Sequence, residues 1–582
     1  MRKGLVLIVL LWSGLALMAE PFYVRINGTR DVAAVNTGVK DFQDRTQYAA
    51  YNVELKAGDK ITCYDAGSGA AWNIGVIDPY GAYANFSTGS DALRCNVAGT
   101  YNMYIKMKMN DDMWYIEMAN GETPTPVTPK DYDVAVPSES EDIMLQGFYW
   151  DSYQDKGYGD TRWTTLTGQA GEIGSYFSLI WLPPSAESQG GLGYIANCYS
   201  NQNSSLGNQS ELQNLINTLH AKGVRVIADI VINHCGNRSS WCDFNSVDFG
   251  SYGKFSPQST WITSNDEAQG KCSLGPNADD GQHEPNYGAA RDWDHKNTNV
   301  QNMCKAYTSW MKNIMLYDGF RYDYCGGFHV SHINDYNKAS KPYFSVMEYW
   351  DGNASTLKTR IDEAGKNTLT FDFALKYNTL RDGIFKKSYT KCLNGGMRGK
   401  GYSKYAVTFI DNHDTFARGE SEDVANKKDG SSINDKSLMM RCNAYILSLP
   451  GVPCVFWPHW VKYKSEIKKM IDARRAAGIH SESPMEEEAG SGFYRATIHG
   501  KHGAVKLMLG SSASDAKPEG YTEVVKGTDY AMYYKVYKED FENALLKPAL
   551  DPSLPMVNIM GQRVNADYRG VVIQNGHKYV IQ

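Results

Sequence analysis

From Ile143 to Phe456 the chain repeats one pattern: a short apolar run, a turn, then a stretch with apolar residues at helical spacing. Strands buried on both faces read as continuous apolar runs, so the repeat predicts parallel strands joined by helical crossovers. It begins at Ile143-Met-Leu-Gln-Gly-Phe-Tyr-Trp150, continues through Phe177-Ser-Leu-Ile-Trp-Leu-Pro-Pro184, and ends on an eighth strand, Val452-Pro-Cys-Val-Phe456. Between them Ser210 to Lys222 reads as a helix capped by Ser210, with Leu212, Leu215, Ile216 and Leu219 on one face. The expected fold class is α/β, a (β/α)8 TIM barrel whose strand carboxyl ends converge on one mouth.

Four of these runs close on reactive side chains. Val224-Arg-Val-Ile-Ala-Asp229-Ile-Val-Ile-Asn233-His234 supplies an acid, an amide and an imidazole, and Gly319-Phe-Arg321-Tyr-Asp323 lifts an arginine and a carboxylate. Phe344-Ser-Val-Met-Glu348 and Val407-Thr-Phe-Ile-Asp411-Asn412-His413-Asp414 add further acids. Arg321 and Asp323, two residues apart, face the same side of a strand, and a fixed cation favours the ionised acid. A buried ion pair without chemistry accounts for those two residues but not for the three other polar strand ends. Retaining hydrolysis of a glycosidic bond takes a nucleophilic carboxylate and a second that serves as acid and base, roughly 5–5.5 Å apart. Asp323, Glu348 and Asp414 offer three such groups. Cys325, two residues past Asp323, needs an activating histidine to be a nucleophile and reads as strand packing.

At 582 residues the chain exceeds one core, and a net charge of −6 without a basic cluster argues against nucleic acid as a partner. Residues 1–19, a charged start followed by the apolar run Gly4 to Met18, read as a secretory signal too short to span a membrane. No cysteine follows that run to carry a lipid, and no other stretch is long and apolar enough to cross a bilayer. The protein is therefore expected to be secreted, periplasmic or held at the cell surface. Residues 20–120 alternate apolar and polar over short runs, which predicts a β-sandwich module, and 121–139 form a Pro/Thr-rich linker. With 39 Tyr and 13 Trp in the chain, Trp72, Tyr80, Tyr83 and Trp114 are candidates for a sugar platform, core packing being the alternative use. The barrel covers 140–478, interrupted at 235–291 by a polar segment too long for a structureless loop unless it is functional or ion-stabilised. Short alternating strands return over 479–540 as an antiparallel β domain, and 541–582 form a separate β-rich tail. Eleven cysteines, an odd number, argue against a disulfide framework; Cys63 and Cys95, in one module, are the pair open to bonding after export.

The four strand-end motifs, in this order, resemble those of the alpha-amylases in the large starch-degrading family of retaining glycoside hydrolases. The likeness is nearest to plant-type enzymes and runs from about Leu145 to Tyr534, including Gln146-Gly-Phe-Tyr-Trp-Asp, Ile180-Trp-Leu-Pro-Pro, Gly193-Tyr194, Asp292-Trp-Asp-His295 and Pro450-Gly-Val-Pro-Cys. The resemblance implies Asp323 as nucleophile, Glu348 as general acid/base and Asp414 as the third acid. It implies that Tyr194, His234, Arg321 and His413 bind the sugar at the cleavage point. It also implies a structural calcium ion held by Asn233, Asp279, Asp292 and the carbonyl of Gly327, oxygen donors of the kind a hard cation takes. Starch and other α-glucans are the implied partners. Gly326 stands where plant enzymes carry a lysine, which bears on sugar contacts at the leaving-group side. The last residues resemble carboxyl-terminal segments of secreted proteins from Bacteroidota, so machinery that sorts proteins to the surface is a further expected partner.

Endo-acting hydrolysis of α-1,4-glucosidic bonds is the resulting expectation. A preference for maltooligosaccharides, or transfer to a sugar acceptor, stays open on the same site. From other classes come a non-catalytic glucan-binding protein and a metal-dependent hydrolase ligated by Asp229, His234 and Asp323.

Overall fold

A computed structural model describes residues 22–40, 45–81, 85–107, 112–118, 129–278, 280–282, 287–418 and 431–537, together with four short strands after 555. The expected signal segment, the linker up to 128 and Asp279 lie outside the described residues. The chain divides into two compact units near Val127.

The larger unit is built on eight strands: β1 (Met144–Gln146), β2 (Leu179–Leu182), β3 (Arg225–Ile230), β4 (Gly319–Tyr322), β5 (Phe344–Met347), β6 (Leu369–Phe371), β7 (Ala406–Phe409) and β8 (Val452–Phe456). All pair in parallel, and β8 closes on β1 through Met144↔Cys454, Leu145↔Val455 and Gln146↔Phe456. This is the barrel that the apolar runs predict, including a sixth strand that the motif reading does not name. Its interior packs Met144, Leu179, Trp181, Ile227, Phe371 and Phe409 in one cluster. Full burial of each such side chain contributes roughly 1.5–3 kcal/mol. The helix between β2 and β3, Gln209–Ala221, starts one residue early, which puts Ser210 in its first turn and not at its cap. Leu212, Leu215, Ile216 and Leu219 are completely buried, as the periodicity requires.

The insert after β3 is organised by cross-links where periodicity is missing. His234–Cys235 pairs antiparallel with Arg291–Asp292 at the base, and a disulfide joins Cys242 to Cys272. Arg291 forms a buried ion pair with Asp266, which also accepts the Asp292 N–H at 2.8 Å. Cys63 and Cys95, the pair the sequence leaves open, are both free thiols buried in the core of the amino-terminal module. Burial beside the barrel wall, not reactivity, also explains Cys325, whose thiol is pushed well above its usual range by desolvation and which donates to the Tyr322 carbonyl.

After the last barrel helix (Trp457–Ala477), five antiparallel strands form the second domain of this unit, tied to the barrel by the Arg398–Glu487 pair at 2.6 and 2.9 Å. The four strands after 555 pair into a small antiparallel sheet. In the amino-terminal unit, ten strands surround a single core; the long strand Arg30–Lys40 pairs with Phe22–Ile26 over its first half and with Thr46–Leu55 over its second, and the pairing of Met113–Met118 with Ile77–Gly81 is parallel. Trp114 lies wholly inside that core, because its pairing with Ile105 puts it on the inner face, and so it is no part of a sugar platform. Trp72 is half-buried against Phe22; Tyr83 and the side chain of Tyr80 lie outside the described residues. Among the described residues no helix is long and apolar enough to cross a membrane.

Candidate active site

The exits of β3, β4, β5 and β7 bring Asp229, Arg321, Asp323, Glu348, His413 and Asp414 to one mouth. Arg321 is at the centre and has no exposed surface. Its Nη1 donates to Asp229 Oδ1 at 2.7 Å and to Asp323 Oδ1 at 2.6 Å, and its Nη2 lies 2.7 Å from Glu348 Oε1. The last contact is a charge contact without hydrogen-bond alignment, since both atoms count as lacking a hydrogen-bond partner. One guanidinium thus faces three buried carboxylates, an arrangement that an arginine's planar fork allows and a lysine's point charge does not.

Backbone geometry completes the pair. Tyr324, immediately after Asp323, takes a left-handed conformation (φ 50°), and its N–H donates to Glu348 Oε2 at 3.1 Å. A bulky residue at positive φ is costly and tends to occur where a site demands it. The peptide at the β4 exit therefore turns toward the acid on β5.

Electrostatics follow from three acids and one cation. Burial pushes the Asp229 carboxyl up to about 6 against the attraction of Arg321. Burial also raises Asp323 well above the usual range; Arg321 opposes this, while the charges of Glu348 and Asp229 add to it. The cluster consequently retains a shared proton toward neutral pH, a property of the group and not of one member.

Asp229 anchors the rest. Its Oδ2 accepts from Trp181 Nε1 at 3.0 Å and from the Tyr194 hydroxyl at 2.8 Å. The Tyr194 ring is stacked on His413 (5.0 Å between centroids, 7° between planes) and on Trp150 (6.0 Å, 3°), and Trp150 is 41% exposed at the rim. Gln146 on β1 donates to His413 Nδ1 at 3.0 Å, leaving the ring's proton on Nε2, 3.5 Å from Asp414 Oδ2. His234 donates from Nε2 to the Tyr194 carbonyl at 3.0 Å and is stacked on Tyr287; burial lowers it to about 4, so it is neutral. The residues singled out in the sequence thus gather here, Arg321 as a buried hub and the others around it. Gln146, Trp150 and Trp181 line the same site without having been assigned to it, and Asp229, named in the sequence only as a ligand of the metal-hydrolase alternative, holds Arg321 and Tyr194. Their signal was present in the apolar strand-end segments, but only the barrel's closure shows what they touch.

Of the residues in the metal-hydrolase alternative, both Asp229 oxygens accept hydrogen bonds and both His234 nitrogens are engaged, so each has a role within the protein. Asn233 and Asp292 sit behind the mouth, both buried, with the Asn233 amide donating to Asp292 at 3.2 Å. The Asn233 Oδ1 presses on Gly327, where an added Cβ would lie 2.2 Å away, and the Gly327 carbonyl is approached by Gly281. An amide oxygen, a carboxylate and a backbone carbonyl meeting in one fold of chain fit a hard cation. Asp280 instead accepts from the His329 N–H at 3.0 Å and pairs with His332 at 3.1 Å.

An acid-lined barrel mouth of this kind is where barrel enzymes carry their active sites, and the comparisons with known proteins give the family. The Alpha-amylase family, described as "Alpha amylase, catalytic domain", matches residues 172–363. Chloroplastic alpha-amylase 3 of Arabidopsis thaliana is 28% identical over 419 residues, 67% of this chain and 44% of that one. Probable alpha-amylase 2 of the same plant is 28% identical over 426 residues, 68% of this chain and 95% of its own length. The alpha-amylase type B isozyme of Hordeum vulgare is 35% identical over 134 residues, 22% of this chain and 80% of that sequence. The chain therefore spans less than half of the first of these relatives and nearly all of the second. It belongs to the alpha-amylase family and is a glycoside hydrolase.

Proposed function

We propose that the protein is a secreted, endo-acting alpha-amylase that cleaves internal α-1,4-glucosidic bonds of starch and related α-glucans with retention. The observation that carries this is the sharing of Arg321 by Asp323 and Glu348 through adjacent nitrogens. Two carboxyls on one guanidinium favour the short retaining separation, about 5–5.5 Å, over the roughly 6.5–9.5 Å of an inverting pair.

Asp323 Oδ1 is occupied by Arg321, which leaves Oδ2 to attack the anomeric carbon. Glu348 gives its proton to the departing glycosidic oxygen as that bond breaks, and a glucosyl ester forms on Asp323. Water then loses a proton to Glu348 as it attacks the same anomeric carbon, breaking that carbon's bond to the Asp323 carboxylate and restoring both acids. Asp414 supports the positive charge that develops on the sugar, and Tyr194, with Trp150 and His413 beside it, gives the ring a face to rest on. A calcium ion, held by Asn233, Asp292, the Gly327 carbonyl and Asp279, would tie the insert to the β4 exit; it supplies structure and no step. Gly326 puts no side chain on the leaving-group side, so transfer to a sugar acceptor is a second reading. Residues 1–19 direct export, and the tail is read by sorting machinery.

The test is a digestion of soluble starch by the mature protein and by Asp323→Asn, following iodine colour and reducing ends together. Early colour loss with few new ends, absent in the variant, is expected. Equal turnover by the variant would refute the assignment of Asp323.

A further inference from the structure

The segment after β6, Leu375–Phe385, is a π-helix of eleven residues. Such helices are rare, are mostly single turns, and are frequent at functional sites. Three consecutive residues of this one reach two of the exits, those of β7 and β5. Lys376 Nζ donates to the Ile410 carbonyl at 2.7 Å and to Asp411 Oδ1 at 2.8 Å, at the end of β7. The Tyr377 hydroxyl accepts from Trp350 Nε1 at 2.6 Å, two residues beyond Glu348. Asn378 donates to the Gly352 carbonyl at 2.7 Å.

Lys376 and Asp411 are buried to within 1% of completely. His459, at the start of the last barrel helix, brings Nε2 to 3.4 Å from Asp411 Oδ2. Stability alone is a poor reason for this: a buried ion pair is commonly no better than an apolar pair of the same volume. What the pair does hold is the backbone just before Asn412-His413-Asp414. There the Thr415 N–H donates to Asn412 Oδ1 at 2.9 Å and the Asn412 N–H donates to the Thr415 hydroxyl at 3.0 Å, a reciprocal pair that fixes the start of the following helix.

We propose that Lys376 is a positioning residue: from the π-helix it fixes the β7 exit through Ile410 and Asp411, and so sets Asp414 relative to the acid pair. Its neighbours Tyr377 and Asn378 do the same for the β5 exit that carries Glu348. The proposal rests on the reading of Asp414 as the third acid of an amylase.

The experiment compares Lys376→Met, the double variant Lys376→Met/Asp411→Asn, and each change combined with Asp414→Asn. The readouts are kcat and KM on soluble starch beside the thermal midpoint. A misplaced group costs on the order of 10²-fold in rate. The double variant, which buries no net charge, is expected to regain most of the midpoint lost in Lys376→Met while kcat stays down about 10²-fold with KM nearly unchanged. In the Asp414→Asn background the loss from Lys376→Met should largely vanish, because residues acting through one another are not additive. A folded double variant with wild-type kcat, or a full multiplicative loss on top of Asp414→Asn, overturns the proposal. If the double variant does not fold, Tyr377→Phe, which changes one hydroxyl, decides: a fall in kcat without a fall in midpoint supports the clamp, and an unchanged kcat refutes it. A wild-type protein inert on starch would defeat the underlying amylase reading instead.

Discussion

Replacing Arg321 by methionine removes the single cation from a buried group of three carboxylates. Breaking a buried pair by deleting one partner costs about 3–5 kcal/mol, because the other charge is left uncompensated. For a unit of this size each kcal/mol moves the midpoint by about 2 °C, so a fall of roughly 6–10 °C is expected. The pH dependence identifies the cause. Asp229 and Asp323 already have raised pKa values in the fold, Asp229 at about 6, so the native state keeps protons that the unfolded chain releases above about 4. Stability therefore declines as pH rises through that window, and it declines further when the attraction of Arg321 is gone. Calorimetry of both proteins from pH 5 to pH 8 should show the gap in midpoint widening with pH. A gap under about 2 °C at pH 8, or one that does not change with pH, would refute the hub role of Arg321.

Other residues make separate predictions. His295 is fully buried, donates to the Ile232 carbonyl and accepts from the Tyr336 hydroxyl, and burial followed by the His332 charge lowers it to about 3. Its neutral form contributes stability above about pH 6.5 that is lost as pH falls toward 3, at most about 5 kcal/mol, and His295→Gln should flatten that acid limb in urea titrations. The Cys242–Cys272 bond closes a loop across a sequence separation of 30, worth about 3–4 kcal/mol of chain entropy, so Cys242→Ser should make the insert the first site of proteolysis in non-reducing buffer. Trp150→Ala should raise KM on starch by roughly two- to tenfold with little change in kcat, the value of one aromatic face. Chelation should lower the thermal midpoint and release activity slowly, over the time the insert takes to loosen; immediate and complete loss at low temperature would mean that the ion takes part in the chemistry.

The barrel was legible because its strands are covered on both sides and must be apolar throughout, as Leu179–Leu182 and Val452–Phe456 are. β6 is less conspicuous: it has three residues, and Thr368 and Thr370 interrupt its apolar character. The proposed catalytic acids stand out in the sequence because strand ends keep reactive side chains at fixed offsets from an apolar run. Their partners do not, since Asp229 lies 92 residues from Arg321 and Lys376 lies 35 from Asp411, and only closure of the barrel brings them together. The insert carries no periodic signal because a disulfide, a buried ion pair and short two-residue ladders do the work that periodic packing does elsewhere. Cysteine pairing was not legible either: Cys63 and Cys95 share a core as free thiols, while Cys242 and Cys272 are bonded across the insert.

The central claim is that Asp323 and Glu348, set side by side on Arg321, cleave with retention. Proton NMR of a maltooligosaccharide digest, recorded before mutarotation equilibrates, tests it directly. The account predicts that the α-anomer of the new reducing end appears first and decays toward equilibrium. First appearance of the β-anomer would mean inversion, with a water between the two acids, and would contradict the account.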